Sequence, residues 1–234
     1  MLSHALMKIY QLAINPMVLN RQFSEHFGSR LIHISSLQKR YTIEVYEMVK
    51  ILIIGGDAAE ALEILYPYFR LKEEGWEVHV AAPTKKFIQT VVHDFEPGFD
   101  TYTEKLGYRW KADLSFDEVK PEEYDGLVIP GGRLPEYIRT YPAIERIVKH
   151  FFEANKPVAA ICHGPLIITA YGLAKNRKMT AYMVLKYDVE GAGAEYLDQE
   201  VVVDGNLVTS RAWPDNPAWM REFIRLVKEY TAKK

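Results

Sequence analysis

The sequence predicts an α/β fold, a parallel sheet covered by helices on both faces, and three observations carry that prediction. Strand-like and helix-like patterns alternate from Met48 onward. The strand-like runs, Lys50–Ile54, 126–130 and 157–161 among them, are almost wholly apolar instead of alternating, the pattern of strands buried on both faces. Two of those runs, the ones ending at Ile54 and Pro130, are followed by glycine pairs, Gly55-Gly56 and Gly131-Gly132, where a strand must turn sharply into the next segment.

Taken in order, residues 1–47 stand apart. Residues 1–41 are rich in Leu, Ile, Ser and His and carry one acidic residue, Glu25. They lack the compact apolar core and small-residue cleavage site of a secretory signal, and read as a poorly ordered extension or an artefact of the start codon, with no chemistry assigned. Residues 48–234 read as one domain. Lys50–Ile54 is its opening strand, and 60–74 a helix with Gly75 placed to end it. Glu77–Ala82 is a second strand, broken by Pro83. Residues 84–110 interrupt the alternation: no long apolar period runs through them, and they read as an irregular insert that caps a pocket or forms a subunit contact. Residues 126–130 and 157–161 are buried strands flanking a helix over 142–154, and a helix opens at about 166–171. An Asp204-Gly205 turn joins the strands of a hairpin over 201–209, and 218–230 is a closing amphipathic helix.

With 48% hydrophobic and 26% charged residues among 234, the chain can bury one substantial core. A net charge of −2 gives no footprint for nucleic acid and no attraction to an acidic membrane. No apolar run approaches the roughly 18 residues a membrane span needs. The single cysteine, Cys162, cannot form an internal disulfide, which favours a reducing, cytoplasmic setting.

Cys162 is also the strongest chemical signal. Ala160-Ile161-Cys162-His163-Gly164-Pro165 places it between a buried strand and a helix, the sulfur version of a nucleophile elbow. A helix N-terminus aimed at the sulfur lowers a thiol pKa from its free value of about 8.5. Three strand ends thus carry chemistry: Gly55-Gly56-Asp57 with Glu60, Gly131-Gly132-Arg133 with Glu136, and Cys162-His163. The glycines let backbone N–H groups near Gly132 and His163 face an oxyanion. Glu60, if it points at Cys162, is a buried carboxyl that donates a hydrogen bond to sulfur and shuttles protons; otherwise it is a first-turn carboxylate on a helix dipole, the plain role also open to Glu136. His93, in the insert, is a candidate pocket residue. No histidine follows His163, which argues against a Cys-His-Glu amidotransferase triad, and no metal-ligand spacing is present.

These residues, with Tyr66-Pro67-Tyr68, the 70–75 run Arg-Leu-Lys-Glu-Glu-Gly and Val202-Val203-Asp204-Gly205-Asn206, resemble the PfpI-type intracellular proteases. That group falls in the superfamily of the parkinsonism-associated protein deglycase. The resemblance covers about residues 48–230. It implies a flavodoxin-like, class I glutamine amidotransferase-like three-layer sandwich with a mostly parallel central sheet. The insert around His93 and Tyr102-Thr103-Glu104 is similar to that of a longer-insert glyoxalase III branch. By this resemblance Cys162 is the nucleophile, Glu60 its carboxyl partner and His163 the neighbouring histidine. Glu136 matches a residue that reaches the Cys-His pair of an adjacent subunit, which implies a homo-oligomer (dimer, trimer or hexamer). Gly131, Gly132, Arg133, Gly164 and His93 would form the oxyanion and substrate pocket. Met183 stands where many relatives have proline, leaving that pocket wall undetermined. The implied chemistry is turnover of 2-oxoaldehydes or their protein adducts without metal, nucleotide, glutathione or other cofactor. The alternatives are a cysteine peptidase and a redox-responsive stress chaperone in which Cys162 oxidises to a sulfinic acid.

Overall fold

The computed structural model describes residues 30–37 and 40–234, with side chains from Met48 onward. The chain divides between Met48 and Val49 into two units. The described part of the first is a hairpin in which β1 (Arg30–Leu37) pairs antiparallel with β2 (Arg40–Glu47). Paired backbone thus occupies part of the stretch expected to be a poorly ordered extension; the rest of that expectation, over residues 1–29, lies outside the described residues.

The second unit is built on a seven-stranded sheet. β3 (Lys50–Ile54) is an interior strand, with β4 (Glu77–Ala82) on one side. Two further strands, β5 (Phe87–Asp94) and β6 (Thr103–Lys111), form a separate antiparallel hairpin before the chain rejoins the sheet at β7 (Leu114–Ser115). On the other side of β3 follow β8 (Gly126–Ile129) and β9 (Val158–Ile161). A two-stranded sheet of β10 (Lys178–Met179) and β11 (Glu195–Tyr196) stands apart. The chain then reaches the sheet edge through β12 (Val201–Asp204) and β13 (Leu207–Ser210). The order is β12-β13-β9-β8-β3-β4-β7, parallel except at the β12–β13 hairpin.

Every residue of β8, β9 and β13 is buried, so both faces of the central sheet are covered. The helices that cover it show why their sequences are helical. In α1 (Ala61–Glu73), Ile64, Pro67 and Leu71 share one buried stripe. The helix ends at Glu74, and Gly75 takes the left-handed φ of +79° that follows it. α2 (Leu134–Ile138) is a short turn after Gly132, and α3 (Pro142–Glu153) buries Ile144, Ile147, Val148 and Phe151 at helical spacing with proline at its start. α4 (Pro165–Ala170) follows the cysteine turn, and α5 (Lys186–Gly191) is a short helix after it. α6 (Asn216–Thr231) buries Trp219, Phe223 and Val227 and packs against α1, β9 and β13. Each such side chain contributes about 1.5–3 kcal/mol by leaving water.

The main departure from the sequence reading is the insert. Residues 84–110 are not irregular: they form most of the β5–β6 hairpin, with a bulge between Gln89 and Val91. Its pattern is hard to read because β6 exposes Leu106 and Tyr108 while only β5 has a consistently buried face. Backbone bonds dock the hairpin onto the turn after β3: Ala58 N–H donates to Gln89 O (2.8 Å) and Val91 N–H to Ala59 O (2.9 Å). Asp57 Oδ1 accepts the Gln89 N–H at 2.9 Å.

Candidate active site

Cys162 sits directly after β9 with φ +57°, a left-handed conformation that costs a non-glycine residue roughly 1–2 kcal/mol. The turn is held by Cys162 N–H to Ser210 O (3.1 Å), Gly164 N–H to Ile161 O (2.7 Å) and Tyr182 N–H to Cys162 O (3.0 Å). Gly164 is needed for packing, since a Cβ there would lie 2.4 Å from Ile129 O; it shapes the elbow and does not line the pocket. The result is a sulfur held at the carboxyl end of the sheet, 5% exposed.

The carboxyl behind that sulfur belongs to Glu63, which corrects the expectation for Glu60. Glu60 is the N-cap of α1, and its Oε2 accepts the Glu63 N–H at 2.9 Å. Backbone N–H groups of Ala61, Leu62 and His93 also face its carboxyl. Glu63, nearly one turn further along, turns its carboxyl to Gly131 N–H (Oε2, 2.8 Å) and to Cys162. Both carboxyls are buried, and Oε1 of each has no hydrogen-bond partner, an arrangement suited to neutral acids. Burial pushes Glu60 up to about 7 against the pull of its N–H donors. Burial, and then the charge of Glu60, push Glu63 well above the usual carboxylate range.

Burial and the Glu63 carboxyl also push the Cys162 thiol up, while the Gly132 and His163 N–H groups pull it down. The effect is not mutual: a hydrogen bond from the Cys162 thiol pulls the Glu63 carboxyl down, while burial and the Glu60 charge hold it up. With a proton on Glu63 the repulsion is gone, and a thiolate at Cys162 meets the two N–H donors. Gly131 makes the contact close enough: a Cβ there would lie 2.5 Å from Cys162 Cβ and 2.7 Å from Glu63 Oε2. Gly132, with φ +71°, brings its N–H to the sulfur.

His163 Nδ1 lies 3.3 Å from Cys162 Sγ. Burial, and next the charge of His93, push this imidazole down to about 4, so it is neutral at ordinary pH. Its Nε2 is 4.0 Å from Glu136 Oε1 on α2 of the same chain. Two residues absent from the sequence reading of the site complete it. The Tyr182 ring stacks on His163 with centroids 5.5 Å apart, and Tyr102, near the end of the β5–β6 turn, meets Tyr182 at 5.6 Å and His163 at 6.2 Å. Only the resemblance of the Tyr102-Thr103-Glu104 run could have flagged Tyr102; no spacing marked Tyr182.

Two expected pocket residues share Glu104 as partner. His93 packs on Tyr102 (4.3 Å) and places Nε2 3.0 Å from Glu104 Oε2. Arg133 donates from Nε (2.9 Å) and Nη2 (2.6 Å) to the same carboxylate, leaving the side chain half exposed. Met183 is exposed beside Tyr182, where with residues 95–101 it borders a groove of about 370 Å³. Among the described residues, no group of three or more His, Cys, Asp or Glu is placed to hold a metal ion, and no helix is long and apolar enough to cross a membrane.

The model of the DJ-1/PfpI family matches residues 49–226. Deglycase TK1284 of Thermococcus kodakarensis is 48% identical over 180 residues, 77% of this chain and 100% of that protein. Deglycase PfpI of Pyrococcus furiosus is 47% identical with the same coverage. Among solved structures, a two-domain Anabaena variabilis protein with DJ-1/ThiJ/PfpI-like and ferritin-like domains superposes with a TM-score of 0.68 at 31% identity, covering 76% of this chain and 47% of that one.

Proposed function

Because this chain belongs to the DJ-1/PfpI family, we propose that it is a cysteine-dependent enzyme acting on 2-oxoaldehydes and their early adducts with amines and thiols, a deglycase and glutathione-independent glyoxalase in one site. The observation that carries the reading is the buried Glu63 carboxyl packed against Cys162 across Gly131, with the Gly132 and His163 N–H groups directed at the sulfur.

The thiolate adds to the aldehyde carbon of methylglyoxal, and the Glu63 proton passes to the new oxyanion, giving a hemithioacetal. Glu63, now a carboxylate, removes the hydrogen on that carbon and delivers a proton to the neighbouring carbon, through an enediol. One carbon is oxidised to the acid level as its neighbour is reduced to an alcohol, so no external oxidant is consumed. Water then breaks the C–S bond of the lactoyl thioester, releasing lactate and returning Cys162 and Glu63 to their starting protonation states. With an aminocarbinol substrate the sulfur replaces the amine, whose nitrogen takes the Glu63 proton as the C–N bond breaks and leaves as the free amine, and the remaining steps are the same. Gly132 and His163 N–H groups face the developing oxyanion. His163, neutral at rest, takes up charge only transiently, beside the Glu136 carboxylate.

The test is lactate formation from methylglyoxal, and amine release from its adducts, without glutathione or added metal. Cys162→Ser and Glu63→Gln should each abolish both. No turnover by wild type with its thiol shown reduced sinks the reading. A peptidase is the second reading, favoured by a Cys-His-Glu arrangement complete within one chain. It ranks second because Tyr102 and Tyr182 leave the sulfur almost no exposure to an extended peptide. Self-association belongs to the same proposal: Leu106 (79% exposed) and Tyr108 (73%) stand on one face of β6 in line with Trp110, an apolar strip of the kind that oligomers cover.

A further inference from the structure

Glu104 opens a question that the reacting groups leave unanswered: what keeps Glu136 turned toward His163? Arg133, the N-cap of α2 in helical conformation, precedes Glu136 by three residues, the spacing at which helical side chains are neighbours. Its guanidinium already feels the Glu136 charge, so the natural partner of Glu136 is Arg133, not a buried neutral imidazole. Glu104 intervenes. Its two oxygens take both the Nε and Nη2 donors of Arg133, and the forked geometry makes this the stronger pair. Arg133 in turn holds Glu104 down at about 2, so the carboxylate stays charged across the working pH range.

We propose that Glu104 is a positioning residue: by occupying Arg133 it leaves Glu136 free to face His163. The inserted hairpin thus orients a group on α2 that it does not itself touch. The hairpin does not depend on this pair for its place, because the backbone bonds from Ala58, Ala59 and the Asp57 side chain already dock β5. The proposal rests on the reading that His163 takes up charge beside Glu136 while Cys162 and Glu63 react, and the experiment separates the two.

In Glu104→Gln the amide offers one acceptor oxygen, so Arg133 swings to Glu136 and draws it from His163. The expected result is a fall in kcat of about tenfold with KM little changed, part of the 10²–10⁴ that a positioned acid–base group contributes. Removing the competitor should then help: Glu104→Gln with Arg133→Leu regains most of the lost kcat. In a Glu136→Gln background, Glu104→Gln should cost nothing further. Glu104→Asp, which keeps the charge, is the conservative check where the amide variant folds poorly. Failure of Arg133→Leu to restore kcat, or an equal loss in the Glu136→Gln background, overturns the proposal and leaves Glu104 a structural clamp. If Glu136→Gln alone is harmless, the role given to Glu136 falls, and the proposal with it.

Discussion

Glu63 Oε2 accepts the Gly131 N–H at 2.8 Å while the same carboxyl faces the Cys162 sulfur, so one side chain ties two strand ends to the nucleophile. Glu60, three residues earlier, spends its carboxyl on the helix N-terminus instead. The two substitutions should therefore separate. Glu63→Gln is expected to lower kcat by at least about 100-fold, the usual contribution of a general acid–base. Glu60→Gln still caps α1 through its amide oxygen and should retain most activity. Equal losses in steady-state lactate formation would contradict the division of labour.

Gly131 offers a steric test of the same contact. An alanine Cβ would lie 2.5 Å from Cys162 Cβ, 2.7 Å from Glu63 Oε2 and 2.7 Å from His163 N, none of them the free end of a flexible chain. Gly131→Ala should cost about 1–3 kcal/mol of stability through overpacking, and activity beyond what the fold loses. Gly172→Ala is the control. It meets nothing within 4 Å and carries only the strain of φ +72°, so it should lower Tm while sparing kcat.

The sheet could be read from the sequence because its strands are long apolar runs ending in glycine, and burial on both faces leaves no other use for such runs. The same reasoning put Cys162, Gly131 and Gly132 at one end of the sheet. It failed between Glu60 and Glu63. Glu60 is the N-cap and Glu63 the third helical residue, so which carboxyl reaches the sulfur depends on where the helix begins, a boundary the sequence does not fix to the residue. The Glu60-x-x-Glu63 spacing did hold a signal, since an N-cap side chain accepts from the third residue of its helix. The hairpin was unreadable because its outer strand alternates poorly: Leu106 and Tyr108 face outward.

That outward face can be tested by itself. Leu106→Glu with Tyr108→Glu replaces two exposed apolar side chains without touching the core, so the monomer should remain folded. If the strip is covered by another copy, buried like charges should lower the mass seen by analytical ultracentrifugation. An unchanged mass would place the contact elsewhere.

Glu60 should also leave a mark on stability. Its pKa is raised in the folded state to about 7 from an ordinary value near 4.5. Between those values the native protein binds more protons than the unfolded chain, so this group makes stability fall as pH rises through that window. The full effect is on the order of 3 kcal/mol. His163 acts in the opposite sense: lowered to about 4 by burial, it makes stability rise between about 4 and 6.5. Subtracting the Glu60→Gln profile from wild type removes the histidine contribution. The difference should be flat below pH 4.5 and decline toward pH 7; a flat difference throughout would mean Glu60 titrates normally.

Tyr102 stands beside the rings that neighbour the buried sulfur, and whether it covers Cys162 can be tested. Its ring packs against His93 at 4.3 Å and reaches His163 and Tyr182 edge-on, held by the hairpin and by neither strand end that carries the chemistry. Burial, and next the Cys162 charge, push its hydroxyl up to about 12, so it remains neutral and acts by bulk. Tyr102→Phe keeps the ring and should leave Cys162 as slow to alkylate as wild type. Tyr102→Ala opens the site, and iodoacetamide should then react at least about tenfold faster, equivalent to ~1.4 kcal/mol of barrier. Small aldehydes already pass the closed ring, so their kcat/KM should change less than the alkylation rate. Peptide cleavage gained only by Tyr102→Ala would show that this ring, and not the reacting groups, bars the site to peptides. Equal alkylation rates in all three proteins would mean the ring does not cover the sulfur in solution.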